Sequence, residues 1–457
     1  MGEAKNMTTW EKVRKFFLDL HLWMGLASGL IVVVVCFTGT VYTFNTEFRE
    51  AASPHLYNLD VPENATALSA EEIIARVESG LKGKVTMLKI AADPARPWQV
   101  SVKKREASEG GVAPSGERRR GEGKPQEAKG SEKNAAGAKA IAQPRGGRPN
   151  MGTTYAINQY TGDIIGDITN EKNGTTEFMR AMFSLHRWLM LDRIEEPIFG
   201  ELPNRTLGSY ISGTATILFT LGVITGMVVW FPRKVKNWKQ GLRVKWNANW
   251  KRINHDLHNT LAFYSLIFLF LMGITGPQWS FPWYREGLQK TLGTYNQGPR
   301  PEAPKSDITN GKPDTPRPLV ADYLKVAEIT LSYRGDCTIS LPQDSTAAVG
   351  VNKTRKGFFA SPASDRIMLD QYTASVLDVE IFRDKPFNER VAGSIKALHT
   401  GEVYGTFTKI LYFISCLIAT SLPITGTLIW INKLKKRKKK SDKKAASRNA
   451  AQEPVSA

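Results

Sequence analysis

Cysteine and histidine are scarce in this chain of 457 residues. Its three cysteines, Cys36, Cys337 and Cys416, are too few and too scattered to form a disulfide framework, and no chemistry is visible for them. A Gly-rich nucleotide fingerprint is also missing, which argues against a nucleotide- or flavin-binding domain within the chain. Of the six histidines, four directly follow a leucine. The positions of these four histidines become the main clue to function.

Charged side chains are nearly absent from four long apolar runs. Each run has about the 20 residues that a helix needs to cross roughly 30 Å of hydrocarbon. The only charged side chain in them is Lys409, close to the start of the fourth run. The first run is too long for a cleaved secretory signal, so we interpret it as a retained span. We therefore predict four membrane-spanning helices, at Trp23–Phe44, Ser209–Phe231, Asn259–Trp279 and Phe407–Ile431.

Basic residues are concentrated in short segments beside these spans. Residues 232–254 contain eight Lys and Arg residues and no acidic residue, and a dense basic run follows Ile431. Because Lys and Arg mark the cytoplasmic side of short loops, both segments and the N-terminus are predicted to be cytoplasmic. The net charge of +19 then reflects topology and contact with anionic lipid. No folded nucleic-acid module accompanies the basic tail, so no nucleic-acid partner is expected.

The predicted fold class is a membrane protein, mainly α, with two small α+β domains outside the membrane. The first outer domain is expected to contain a disordered insertion (103–150), poor in aromatic and branched residues, and a short helix (178–191). In chain order the predicted segments are a cytoplasmic N-terminus (1–22), a first span (23–44), a periplasmic domain (45–208), a second span (209–231), a basic cytoplasmic loop (232–258), a third span (259–279), a second periplasmic domain (280–406), a fourth span (407–431) and a cytoplasmic tail (432–457).

The chain carries repeated patterns. Every span contains a Thr-Gly step, and His21 precedes Gly39 by the same 18 residues that separate His258 from Gly276. We infer that the four helices are two duplicated two-helix units. The outer segments repeat a Gln-Tyr-Thr turn between apolar residues, which predicts a β-hairpin at residues 157–165 and 369–377.

Each outer segment also predicts a helix and several strands. In the first segment, Ser69 and Glu72 form a capping box that opens an amphipathic helix, Ala70–Ser79, with Gly80 as its stop. The remaining predicted elements, taken from apolar alternation, are strands at Leu88–Ile90 and Trp98–Val102, then a helix at Val320–Leu331 and strands at Cys337–Leu341, Ala347–Val351 and Ile367–Leu369.

Histidines and glycines lie at matching depths in the spans. Counted from the charged flanks, His21 and His258 lie six residues beyond a basic residue, while Gly226 and Gly426 lie seven residues before one. Two helices thus present histidine near the cytoplasmic face where two others present glycine. A flat macrocycle with two axial imidazole ligands needs both. A second set is expected near the outer face, about 27 Å farther along the helices, formed by His186, His399, Gly39 and Gly276.

Simpler explanations exist for the same residues. A histidine near a helix end can lie at the membrane interface, and glycine can serve only to pack membrane helices closely. His255 is three residues from His258 and is an alternative ligand, although only His258 keeps the 18-residue spacing. The aromatic cluster around Trp279 fits an aromatic belt. His186 and His399 precede their spans, so both need short helices that dip back into the membrane.

Taken in their order along the chain, the motifs resemble those of the PepSY-associated transmembrane protein family, which includes iron-regulated membrane proteins and ferric-siderophore reductases. The resemblance implies two PepSY-type domains in the periplasm and four helices in the bacterial inner membrane. It also implies two b-type haems, with His21, His258, His186 and His399 as axial iron ligands. It is carried by Leu20-His21 with Gly25, Leu185–Leu189, Asp256–Asn259, Ile224–Gly226 with Trp230, Ile424–Gly426 with Trp430, and the two Gln-Tyr-Thr hairpins.

The expected function is transfer of electrons outward to a ferric siderophore or another ferric chelate in the periplasm. Since no cofactor domain for electron uptake is visible, the donor must be quinol or a separate cytoplasmic reductase. We pair His21 with His258 and His186 with His399, because duplicated units that enter the membrane in the same direction place equivalent residues face to face. The alternative is a non-enzymatic membrane protein whose PepSY units bind a peptide or regulatory partner. A transporter ranks last, because no span is visibly broken.

Overall fold

The computed structural model describes residues 8–61, 63–104, 152–231, 235–298, 302–311 and 316–450. The predicted disordered insertion lies outside the described residues, apart from Lys103 and Lys104, which end a strand. The helices are α1 (Thr9–Tyr42), α2 (Asn45–Ala52), α3 (Ala70–Leu81), α4 (Gly174–Trp188), α5 (Asn204–Trp230), α6 (Trp250–Thr275), α7 (Pro282–Thr291), α8 (Val320–Thr330), α9 (Phe387–Gly393), α10 (Ile395–Thr400) and α11 (Gly405–Ala450). The strands are β1 (Gly83–Ile90), β2 (Trp98–Lys104), β3 (Thr153–Ile157), β4 (Ile164–Asp167), β5 (Gly335–Ser340), β6 (Val349–Arg355), β7 (Ser364–Leu369) and β8 (Val376–Glu380).

Four helices, α1, α5, α6 and α11, form a bundle and are long and apolar enough to cross a membrane. Within the bundle, α1 and α6 each pack against both α5 and α11. All four begin before the predicted spans, while α1, α5 and α6 end one to four residues before the predicted ends. For example, α1 begins at Thr9 instead of Trp23, because Thr8 and Glu11 form a capping box there. At α1 and α6, side-chain caps at Thr8 and Asn249, not the edge of the apolar run, therefore mark where the helix begins.

The eight strands form one continuous antiparallel sheet in the order β4-β3-β2-β1-β5-β6-β7-β8. Its two halves meet where β1 pairs with β5, with Leu88 opposite Ile339. The two predicted α+β units are present, as α3 with β1–β4 and α8 with β5–β8, but they share one sheet. Two separate four-stranded halves would have four edge strands, and the pairing of β1 with β5 leaves only β4 and β8 as edges.

The core of the sheet lies on one face, under α3 and α8. Ile73 of α3 is fully buried there together with Leu88, Ile339 and Ile367 from both halves of the sheet. The predicted capping box of Ser69 and Glu72 is present. Gly80 does not end α3, however, because Leu81 continues the helix against this core and Lys82 takes the left-handed conformation, with φ 49°.

The Gln-Tyr-Thr motifs lie in the two predicted hairpins, β3–β4 and β7–β8. In each, the buried glutamine donates two hydrogen bonds from Nε2 to backbone carbonyls of a neighbouring loop. Gln159 reaches Pro94 and Arg96, and Gln371 reaches Asp344 and Ala347. The repeated motif is thus explained by its structural role in fixing the hairpins.

The sheet is joined to the bundle at the end where α1 finishes and α11 begins, which we call the sheet end. There Lys409 of α11, 5% exposed, donates to both carboxylate oxygens of Glu47 in α2, at 2.7 and 2.9 Å. Arg96, in the β1–β2 loop, pairs with Glu50 of the same helix at 2.7 Å. The opposite end, where α5 finishes and α6 begins, is called the tail end. These contacts fix the sheet above one end of the bundle.

Candidate functional site

The four leucine-linked histidines lie in two facing pairs. His21 on α1 faces His258 on α6 near the tail end, with 6.4 Å between ring centroids. His186 on α4 faces His399 on α10 near the sheet end, with 6.3 Å between centroids. These are the pairs that the sequence predicts.

The sheet-end pair is carried by short helices, as expected. The helix α4 (Gly174–Trp188, slightly offset from the predicted 178–191) packs against α1 and α5, and α10 packs against α6. His186 thereby reaches the carbonyl oxygen of Val35, which lies within the first span. Burial lowers the pKa of both His186 and His399, the latter to about 3, so both rings are neutral at physiological pH.

In each of these four histidines the Nδ1 atom contacts an oxygen atom on a neighbouring helix. His21 Nδ1 lies 2.9 Å from the carbonyl oxygen of Gly222, and His186 Nδ1 lies 2.8 Å from that of Val35. A carbonyl oxygen only accepts, so Nδ1 carries the proton in both rings. In a neutral imidazole the remaining nitrogen, Nε2, then keeps its lone pair.

In the other two histidines, a threonine hydroxyl accepts the hydrogen bond from Nδ1. His258 Nδ1 lies 2.9 Å from Thr425 Oγ1, and His399 Nδ1 lies 3.1 Å from Thr275 Oγ1. Both hydroxyls already donate to carbonyl oxygens of their own helices, so they accept from the histidines. Among the described residues, no Nε2 atom of the four rings has a hydrogen-bond partner. All four rings thus present a basic nitrogen that can ligate a metal.

The predicted glycines lie directly against these rings. A methyl group added at Gly39, Gly226 or Gly426 would crowd the Cε1 atom of one histidine, so each of these three glycines leaves room for one imidazole, whereas at Gly276 it would crowd Thr216 and only touch His399. This contact goes beyond the helix packing that would otherwise explain the glycines. The distances from the added carbon to Cε1 are 3.0 Å for Gly39 and His186, 3.1 Å for Gly226 and His21, 3.2 Å for Gly426 and His258, and 3.5 Å for Gly276 and His399.

The separation of the rings fits one metal ion between each pair. Two metal–nitrogen bonds of about 2.1 Å, plus about 1.1 Å from each nitrogen to its ring centre, give about 6.4 Å between centroids when both Nε2 atoms point at the metal. The observed values are 6.4 and 6.3 Å. Two neutral imidazoles at this distance are suited to axial ligation from opposite sides.

A cavity of about 320 Å³ adjoins the tail-end pair. Its walls come from all four helices and include His21, His258, Gly226 and Gly426. The volume lies near the lower end of the range for ligand pockets, about 300–1,000 Å³. The wall is mostly apolar, while the basic residues Lys433 and Arg437 line it on the side of the tail. This combination suits a flat apolar ligand with an anionic edge.

The other histidines are placed differently. His255 lines the same cavity but is half exposed and contacts Asn259, so His258 is the residue that faces His21. His55 is exposed, as expected. Trp279 lies 4.9 Å, between ring centroids, from His399, a contact that an aromatic belt alone does not predict.

Sequence reasoning missed the threonines and carbonyls that hold Nδ1. The available signal was the Thr-Gly step in each span. Each histidine ring contacts the glycine of one Thr-Gly pair. Its Nδ1 atom hydrogen-bonds either to the threonine hydroxyl of that pair or to a backbone carbonyl in the preceding helical turn.

Comparison with known proteins places the chain in a family. The family model described as the PepSY-associated TM region matches residues 18–433. The chain belongs to the PepSY-associated transmembrane family. This confirms the resemblance inferred from the sequence. The region matched by the PepSY-associated family contains both histidine pairs, their four glycines and the whole sheet. A search of curated proteins finds no match.

Proposed function

We propose that this PepSY-associated protein binds two b-type haems, one between each histidine pair, and passes electrons outward across a bacterial inner membrane. The acceptor is a ferric chelate in the periplasm, in first place a ferric siderophore, which releases its iron on reduction. The observation that carries the proposal is the pair of facing imidazoles at each end of the bundle, with ring centroids 6.4 and 6.3 Å apart.

The residues around each pair support haem as the ligand. His21 and His258 would hold one haem, and His186 and His399 the other. The hydrogen bonds at Nδ1 fix the orientation of each ring and raise the basicity of Nε2. Haem bound there would supply one-electron transfer between ferrous and ferric iron. Lys433 and Arg437, at the cavity beside His21, are suitably charged partners for propionates.

The position of the two pairs supports transmembrane transfer. Gly39, against which His186 lies, is 18 residues beyond His21 on the same helix. That separation corresponds to about 27 Å at 1.5 Å per residue. An electron that enters at the tail end can therefore cross in two steps instead of one long one.

The orientation rests on the basic flanks. With residues 232–254 and the tail in the cytoplasm, the sheet lies in the periplasm, over the His186 and His399 pair. Anionic lipid would contact the basic flanks. Electrons would come from quinol or a cytoplasmic reductase. Equal spacing of His21 and Gly39, and of His258 and Gly276, further supports an origin by duplication.

A stopped-flow experiment tests this function. The purified protein is reduced without oxygen and mixed with a ferric siderophore and a ferrous trap. We expect haem reoxidation together with formation of the trapped ferrous complex. Reoxidation without ferrous iron would show a different acceptor. No reoxidation would refute electron transfer to ferric chelates and favour binding of a peptide or regulatory partner.

A further inference from the structure

A second cavity, of about 280 Å³, lies at the sheet end between α1, α2, α4 and the turn after α4. Three arginines line it, Arg49, Arg180 and Arg193, together with one carboxylate, Asp192. Aromatic rings complete the wall, with Tyr42 and Phe183 only 5.2 Å apart between centroids. The cavity is therefore small, partly aromatic and positively charged.

The positive charge of this arginine pocket is not neutralised internally. Arg180 pairs with Glu177 at 2.7 Å, and Asp192 accepts from Ser184. In the described part of the chain, neither Arg49 nor Arg193 has an ion-pair partner. Two guanidinium groups thus remain available for a ligand.

Two buried polar atoms beside the arginine pocket also have no partner. Thr176, 1% exposed, lines the cavity, and its Oγ1 has no hydrogen-bond partner among the described residues. The same holds for the buried Nε of Arg49. Buried polar groups are nearly always hydrogen-bonded. The unpaired hydroxyl and guanidinium nitrogen are buried beside the cavity, and a bound oxyanion would satisfy them once their side chains turn toward it.

The arginine pocket is next to the sheet-end histidine pair. Ser184, in its wall, is two residues before His186 on α4. Tyr42 is three residues, or about 4.5 Å along the axis, beyond Gly39, which contacts His186. A ligand in the pocket would lie within about one helical turn of that pair.

We propose that the arginine pocket binds a carboxylate group of an anionic ferric chelate of the citrate class. This inference rests on the proposed function, since the chelate would be the electron acceptor there. The planar arginine fork matches a carboxylate in a bidentate manner. A cavity of about 280 Å³ admits a citrate-sized ligand or one arm of a larger chelator. Two unpaired guanidinium groups disfavour cationic chelates.

Binding is tested without redox chemistry by titrating the full-length holoprotein with gallium(III) citrate, which is not reduced. Wild type should bind saturably. Arg49→Gln and Arg193→Gln should each weaken binding about 10- to 100-fold, as for loss of a charge-assisted hydrogen bond. The matched control is Arg383→Gln, an exposed arginine in the turn after β8, which should leave binding unchanged. Absence of saturable binding, or an equal effect of the control, would overturn the proposal.

Two further measurements separate the possible sources of the carboxylate. Haem content should remain at the wild-type level in both variants. Loss of one haem would show that the arginines hold a propionate instead, and would overturn the proposal. In reoxidation assays the variants should raise the KM for ferric citrate and not that for a cationic ferric trihydroxamate. Arginine-dependent gallium citrate binding without any reoxidation would support the pocket and refute the proposed reductase function.

Discussion

Substitution of Gly39 by alanine is expected to weaken haem binding at the sheet-end pair only. The added methyl carbon would lie 3.0 Å from Cε1 and 3.2 Å from Nδ1 of His186. The ring must then move by a few tenths of an ångström, which strains its 2.8 Å hydrogen bond to Val35. Overpacking of this kind costs about 1–3 kcal/mol. Haem affinity at this site should therefore fall about 5- to 150-fold.

Stability of the polypeptide should change much less than haem affinity. Alanine in place of a helical glycine gains about 1 kcal/mol of helix propensity, which offsets part of the strain. The tail-end pair, His21 and His258, contacts other glycines and serves as an internal control. Gly287→Ala is an external control, because Gly287 lies on α7 with no atom within 4 Å of an added methyl.

The assay is the haem-to-protein ratio during dilution or competition with a haem-binding protein, followed by absorption spectra. We expect one haem to be lost early from Gly39→Ala and both to be retained in Gly287→Ala. An unchanged ratio and unchanged spectra in Gly39→Ala would refute the assignment of His186 as a ligand packed against this glycine.

Three other predictions address topology, the insertion and the junction of sheet and bundle. Reporter fusions after Lys245 should read cytoplasmic and fusions within residues 106–148 periplasmic; an external Lys245 would overturn the orientation. Deletion of residues 106–148 should leave expression and the haem spectrum unchanged, and loss of folding would show that the segment contributes to the core. Lys409→Met leaves Glu47 without its buried partner and should lower the free energy of unfolding by about 1–2 kcal/mol, measured by thermal unfolding. The loss is smaller than for a fully buried ion pair because Glu47 is half exposed. Lys290→Met, which breaks an exposed pair, is the control and should not change the melting temperature; equal melting of the two variants would contradict a stabilising role for Lys409.

Local sequence signals predicted much of the fold. The apolar runs indicated the four long helices, and the capping box at Ser69 indicated the start of α3. The end of α3 was missed, because a glycine can continue a helix when the next residue packs into a core, as Leu81 does. Local rules thus predict that elements exist better than where they end.

Contacts between distant segments were less predictable. No local pattern shows that β1 and β5 pair, although Leu88 and Ile339 are opposite each other in the sheet. Likewise, Cys36 and Cys416 are 380 residues apart in the sequence, yet Cys416 Sγ lies 3.2 Å from the carbonyl oxygen of Cys36. Such contacts depend on how whole helices and half-sheets pack.

The candidate site was predictable because its residues repeat. Equal spacing and equal depth predicted that His21 faces His258, and the inferred duplication then predicted that His186 faces His399. The acceptors for Nδ1 were not identified, because a backbone carbonyl leaves no mark in the sequence. The arginine pocket was missed for a related reason, since Arg49 and Arg193 lie on separate segments that only the fold brings together.

The most direct test of the central claim is the number of haems in histidine variants. The purified wild-type protein should contain two low-spin haems per chain with paired histidine ligands. His21→Ala and His258→Ala should each lose the same single haem, and their double variant should lose no more than either alone. His186→Ala should lose the other haem. A wild-type protein without haem, or spectra indifferent to all of these substitutions, would contradict the account.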